Sequence, residues 1–207
     1  VWLKKKTGWA ILNPLLVAII VVIAFLSVFH IEYKEYNRGA VYLGYFLTPA
    51  TVCLAIPLYK QLELLRQHLI AVASAIVAGG AGSVGSIYVM CRFFQLEHTH
   101  YVTLLPKSIT TAIGMGVSEE AGGIVTLTVI SIIITGILGN IIADWLFQIF
   151  KIEEPIAKGL ALGTAAHAIG TAKALELGEI EGAMSSLSIA VAGLLTVVVV
   201  PLMSGLI

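Results

Sequence analysis

Five stretches of this chain contain no Lys, Arg, Asp or Glu: Trp9–Phe29, Gly39–Tyr59, Leu69–Cys91, Ala121–Ala143 and Gly182–Ile207. Each reaches the roughly 20 residues that a helix needs to cross a ~30 Å hydrocarbon layer. Inside lipid no water can satisfy a peptide group, so apolar runs of that length have to be helices. Charged side chains are 12% of the 207 residues, about half the share in a soluble domain. The expected fold is an all-α, polytopic membrane helix bundle, one integral membrane domain over residues 1–207. An ordinary soluble enzyme and a secreted disulfide scaffold are excluded. So is a nucleic-acid binder, which needs a basic surplus, because 12 basic residues face 12 acidic ones. Cys53 and Cys91 lie in apolar runs and read as buried small hydrophobes. The chain starts at Val1 rather than Met, and a further helix is expected upstream.

Two segments depart from the clean pattern. Leu104–Glu120 reads LLPKSITTAIGMGVSEE, and Gly159–Gly182 reads GLALGTAAHAIGTAKALELGEIEG. Each precedes a clean span, so two interrupted helices, broken or re-entrant, are expected. Setting Ala112-Ile113-Gly114 against Ala168-Ile169-Gly170 aligns Glu120 with Glu176 and Gly122 with Gly178. Residues 103–148 and 159–207 are thus possible repeat units. If each interrupted segment is re-entrant, the two units are inverted, a common transporter plan; if each crosses fully, they are parallel. The two segments are expected to meet at mid-membrane. Pro49 predicts a kink in the second span and Pro57 lies near its end. The small residues from Ala78 to Ser86 predict close helix packing in the third span. Lys4, Lys5 and Lys6 flank one end of the first span, and Lys60 and Arg66 lie two crossings later, on the same side. The later loop sets Lys151 and Lys158 against Glu153 and Glu154 and does not decide between the two repeat topologies.

An ionisable group at membrane depth is costly and is a functional candidate for that reason. Lys107, beside Ser108, Thr110 and Thr111, could hold an anion near a helix N-terminus, or its side chain could reach the interface. Glu119 and Glu120 could couple transport to protons or sodium, or belong to a solvated turn. His167, with Thr164 and Thr171 around it, could carry a proton or bind a carboxylate, or be structural. Lys173 and Glu176 stand three residues apart, a spacing that lets them pair on one helix face. Asn13 and Glu176 join the two glutamates as candidate ion-coupling groups; Thr164, Thr171 and Lys173 join the substrate-binding set. Gly159 and Gly163 form a GxxxG, a weak helix-contact signal. No metal-ligand spacing, nucleophile elbow or phosphate loop is present, so no metal, cofactor or enzymatic activity is expected.

Leu105-Pro106-Lys107-Ser108-Ile109-Thr110-Thr111, Gly136-Ile137-Leu138-Gly139 and the long run Gly163-Thr164-Ala165-Ala166-His167-Ala168-Ile169-Gly170-Thr171-Ala172-Lys173-Ala174 resemble the LrgB/CidB family. Leu12-Asn13-Pro14 and Pro57-Leu58-Tyr59 also match, so the resemblance covers nearly the whole chain. Ala112 and Ala166 stand where that family usually has proline and serine. The resemblance implies a multi-pass protein of the bacterial plasma membrane that works with an LrgA/CidA-type small membrane protein. It also implies a holin/antiholin-like role in modulating murein hydrolase activity and cell lysis, with small monocarboxylates such as pyruvate, glycolate and glycerate carried by some relatives. The residues favour the carrier, coupled to an ion gradient, with the antiholin-like regulator as the alternative. The expected partners are the bilayer, that small membrane protein, a small carboxylate and further copies of the chain, with no nucleic acid.

Overall fold

The computed structural model describes residues 14–46, 49, 52–53 and 55–207. Asn13, the flanking lysines and the start of the first span lie outside the described residues, as does all of the expected kink except Pro49 itself. The described residues form helices and no strand. In chain order these are α1 Pro14–Val28, α2 Tyr33–Gly44, α3 Ala55–Lys60, α4 Leu62–Gln67, α5 Leu69–Phe93, α6 His98–Leu104, α7 Thr111–Glu120, α8 Val125–Ile149, α9 Pro155–Leu177 and α10 Glu179–Ser204. The helices α5, α8 and α10 are long and apolar enough to cross a membrane, and with the similarities given below they make this an integral membrane protein.

The chain divides into two units, Val1–Ile56 and Pro57–Ile207. In the first, α1 ends at a turn where His30 takes a positive φ of 51° and Ile31 N–H returns to the Leu26 carbonyl at 3.0 Å. The helix α2 begins at Tyr33, in the charged stretch between the first two charge-free runs, and stops at Gly44 within the second. The charges on Lys34, Glu35 and Arg38 mark distance from lipid, and they do not stop a helix from forming. Pro57, expected near the end of the apolar run, lies within helix α3. Cys53 is exposed and Cys91 buried, so the expectation of two buried thiols holds for one of them.

In the second unit, α5 and α10 run in the same direction. Their N-terminal parts share a cluster of Val72, Ile76, Leu160, Ala183 and Met184; their C-terminal parts share one of Val84, Ile87, Cys91, Tyr101 and Val200. Helix α8 runs the other way. Its Thr128 lies beside Thr103 at the second cluster, and its Ala143 packs with Leu162 and Ala174 toward the first. The span expected from Ala121 starts instead at Val125, because Gly122 (φ 78°) and Gly123 form a turn. Gly123 stands against Thr103, where a Cβ would come within 3.1 Å of its Cα.

Both interrupted segments are helical hairpins. α6 enters the bundle, the chain turns over residues 105–110, and α7 returns to the same end, where Ser118 and Thr103 both lie against Thr128. α9 breaks at Ala166 (φ −127°, ψ 15°) and His167 (φ 42°, ψ −136°). Its second limb folds back on its first: Ala174 packs with Leu162, and a Cβ on Gly170 would lie 3.0 Å from the Leu162 carbonyl carbon. The glycine aligned with it, Gly114, sits 3.5 Å (as a Cβ) from the Pro106 carbonyl oxygen in the first hairpin. In each hairpin a glycine faces the residue eight positions earlier, where the limbs come closest. The hairpins enter from opposite ends, one before α8 and one before the oppositely directed α10.

Candidate functional site

The tip of the first hairpin is residues 105–110. Leu105, Pro106, Ser108 and Ile109 are buried there, which holds Lys107 at half-burial between α5 and the turn. Lys107 Nζ donates to Ser108 Oγ at 3.1 Å and reaches Ser83 Oγ at 3.5 Å, while the two hydroxyls hydrogen-bond each other at 2.8 Å. Among the described residues every partner of the ammonium is a hydroxyl, and no carboxylate pairs with it. A compensating charge is what membrane depth ordinarily demands of a lysine. Thr110 takes the extended conformation of a helix N-cap (φ −64°, ψ 145°), and Thr111 opens α7 beside it.

Lys107 and Ser108 line a cavity of about 590 Å³. Helix α5 contributes Gly79, Gly82, Ser83 and Ser86, a spacing that puts all four on one face. Helix α8 contributes Thr135, Gly139, Ala143 and Phe147, and the first limb of the second hairpin contributes Ala161, Leu162, Thr164, Ala165 and Ala166. The two interrupted segments therefore line one cavity rather than packing directly on each other, with α5 touching both: Ser83 bonds Ser108, and a Cβ on Gly79 would lie 3.2 Å from Thr164. Thr164 spends its hydroxyl proton on the Leu160 carbonyl, leaving an acceptor toward the cavity.

At the tip of the second hairpin Ala166 borders the cavity, while His167 is built into α8. His167 is 3% exposed, and its Nε2 lies 2.9 Å from the Ile132 carbonyl oxygen. That contact fixes the proton on Nε2, because a carbonyl only accepts. Gly136 and Gly139 make the room: a Cβ on Gly136 would lie 2.8 Å from the imidazole, and one on Gly139 2.6 Å from Ala166 Cβ. Asn140 Nδ2 donates to the Ile169 carbonyl at 3.1 Å. Thr171 Oγ lies 3.1 Å from the His167 carbonyl and 2.7 Å from Ser185 Oγ. His167 and Thr171 thus anchor the break, away from the cavity wall.

Lys173 corrects another expectation. Its partner is Asp144 of α8, 2.6 Å away, rather than Glu176. The lysine is buried and the aspartate half-exposed, so its charge is met within the protein and is not offered to the cavity. Glu119, Glu120 and Glu176 are exposed near helix ends and do not line the cavity. The GxxxG is a real contact face: Gly159 and Gly163 press on α10, where Cβ atoms would lie 2.9 Å from Met184 Cβ and Ser185 Cα. Among the described residues no group of three His, Cys, Asp or Glu could hold a metal.

Sequence reasoning missed Ser83, Ser86 and Thr135 as cavity residues, and Asp144 as a counter-ion. The serines carried a usable signal. They follow Gly79 and Gly82 at helical spacing, so a polar strip was legible in a run read only as packing.

The profile of the LrgB-like family matches residues 1–206. The antiholin-like protein LrgB of Bacillus mycoides is 40% identical over 199 residues, which is 96% of this chain and 86% of that protein. Its counterparts in strains of Bacillus cereus and Bacillus anthracis are 39% identical over the same shares. No solved structure matches the chain.

Proposed function

This chain belongs to the LrgB-like family, and from that membership we propose that it is an antiholin-like regulator in the bacterial plasma membrane. It restrains murein hydrolase activity and lysis by associating with a small membrane partner of the LrgA/CidA type. The observation that carries this is the 40% identity to a protein named antiholin-like, sustained across 96% of the chain. Association suits the outer face of α5, where Gly80 and Gly85 border a shallow groove with Leu195 and Val199 of α10. Small residues let another helix approach closely. The test is autolysis of a host strain deleted for its own copy. Restoring this chain should slow lysis, and lysis unchanged by it overturns the proposal.

A second reading rests on a specific observation. Among the described residues, Lys107 presents an ammonium bonded only to hydroxyls, at a cavity lined by both oppositely entering hairpins. That is the plan of a carrier for small monocarboxylates, with hydroxyls and half-helix ends sharing the recognition of the anion. Uptake of labelled pyruvate or glycolate into proteoliposomes tests it. The carrier requires uptake that is lost in Lys107→Met, and rejects uptake that the substitution leaves unchanged. Lys60, Arg66, Lys151 and Lys158 lie at one end of the second unit and Arg92 at the other, so the positive-inside rule turns the Lys151 end to the cytoplasm.

A further inference from the structure

A second cavity, of about 410 Å³, lies at the Lys151 end of the bundle. Its walls mix the polar side chains of Asp144, Gln148, Lys151, Glu153 and Lys158 with apolar ones. One residue, Phe147, lines both this vestibule and the 590 Å³ cavity that holds Lys107. Its ring packs on Ala143, Leu162 and Ala174, which belong to α8 and to both limbs of the second hairpin. Three positions before it on α8, Asp144 binds Lys173 of the returning limb at 2.6 Å. Residues at i and i+3 share a helix face, so the ion pair and the ring close the same seam, one beside the other.

We propose that Phe147 is the gate between the Lys107 cavity and the Lys151 vestibule, with the Asp144–Lys173 pair as the latch that keeps the hairpin seated against it. The proposal rests on the carrier reading of the cavity. Its physical basis is that Phe147 is the one lining residue the two cavities share, with its ring packed at the seam between α8 and the hairpin. A small anion in the vestibule meets lysines, then an aromatic plug, then the hydroxyls around Lys107. Passage needs the ring to swing or the hairpin limb to shift, and the latch opposes the second movement.

Access can be read without any transport assay. In the full chain with Cys53→Ser and Cys91→Ala, a single reporter Ser83→Cys is exposed to an anionic, membrane-impermeant methanethiosulfonate from the Lys151 side. Leu177→Cys, in the vestibule, serves as the control for reagent arrival. The expected result is slow labelling of Ser83→Cys, faster by about tenfold in Phe147→Ala as the open population rises, and slower in Phe147→Trp. Asp144→Asn should also speed it, and the swap Asp144→Lys/Lys173→Asp should return it toward the parent rate. Ser83→Cys that labels at one rate with Phe, Ala or Trp at 147, or never labels while Leu177→Cys does, overturns the gate. Should Phe147→Ala fail to fold, the Phe147→Trp arm still decides, because it fills the seam instead of emptying it. Failed uptake alongside gated labelling would sink the carrier and leave the gate; uptake alongside ungated labelling would do the reverse.

Discussion

A Cβ added to Gly136 would lie 2.8 Å from His167 Nε2, so α8 meets the tip of the second hairpin at the closest approach a helix backbone permits. The contact joins two features far apart in sequence: a glycine on a spanning helix, and the histidine at which the hairpin reverses. With Gly139 against Ala166, it seats the break in a notch that α8 provides.

Filling that notch should therefore destabilise the protein. Gly136→Val and Gly139→Leu overpack the hairpin tip and should cost about 1–3 kcal/mol each, read as a lower thermal unfolding midpoint in detergent. Gly80→Ala meets nothing within 4 Å and should leave the midpoint in place.

The backbone at His167 (φ 42°, ψ −136°) is one that L side chains rarely adopt, at a cost of order 1–3 kcal/mol. Glycine tolerates it. His167→Gly should then be more stable than His167→Ala, although it removes more of the side chain. Both lose the bond to Ile132 O, so their difference isolates the backbone. Equal midpoints would mean that the hairpin tip carries no strain.

Removing Asp144 leaves the buried Lys173 without its counter-ion. Asp144→Ala should destabilise by about 1–2 kcal/mol, less than a fully buried pair would because the aspartate is half in solvent. Lys173→Met should cost less, and adding it to Asp144→Ala should recover stability. A double variant no better than Asp144→Ala would place the cost elsewhere.

Much of this was legible in the residues. Charge-free length located the spans α5, α8 and α10, because lipid excludes charge over a fixed thickness. The ends were less legible: α8 continues past Asp144 to Ile149, since a helix does not stop where lipid does. Pro106, Lys107 and the run around His167 marked both hairpins, because nothing else puts polar and glycine residues at that depth. The direction of the second reversal was not legible. It depends on a positive φ at a histidine, for which sequence holds no signal, and on glycines of another helix. The Lys173–Asp144 pair was hidden in the same way: the spacing of Lys173 and Glu176 pointed within one helix, while the real partner came from a packed neighbour.

The most direct test of the antiholin-like role separates surface association from the cavity. Autolysis would be followed in a deletion strain carrying wild type, the pair Gly80→Leu/Gly85→Leu, or Lys107→Met, with membrane levels matched. The glycines have open space around them, so leucines there fill the outer groove and leave the fold intact. The expected result is that the glycine pair loses restraint of lysis and Lys107→Met keeps it. Restraint lost in Lys107→Met and kept in the glycine pair would contradict the regulator and place the function in the cavity.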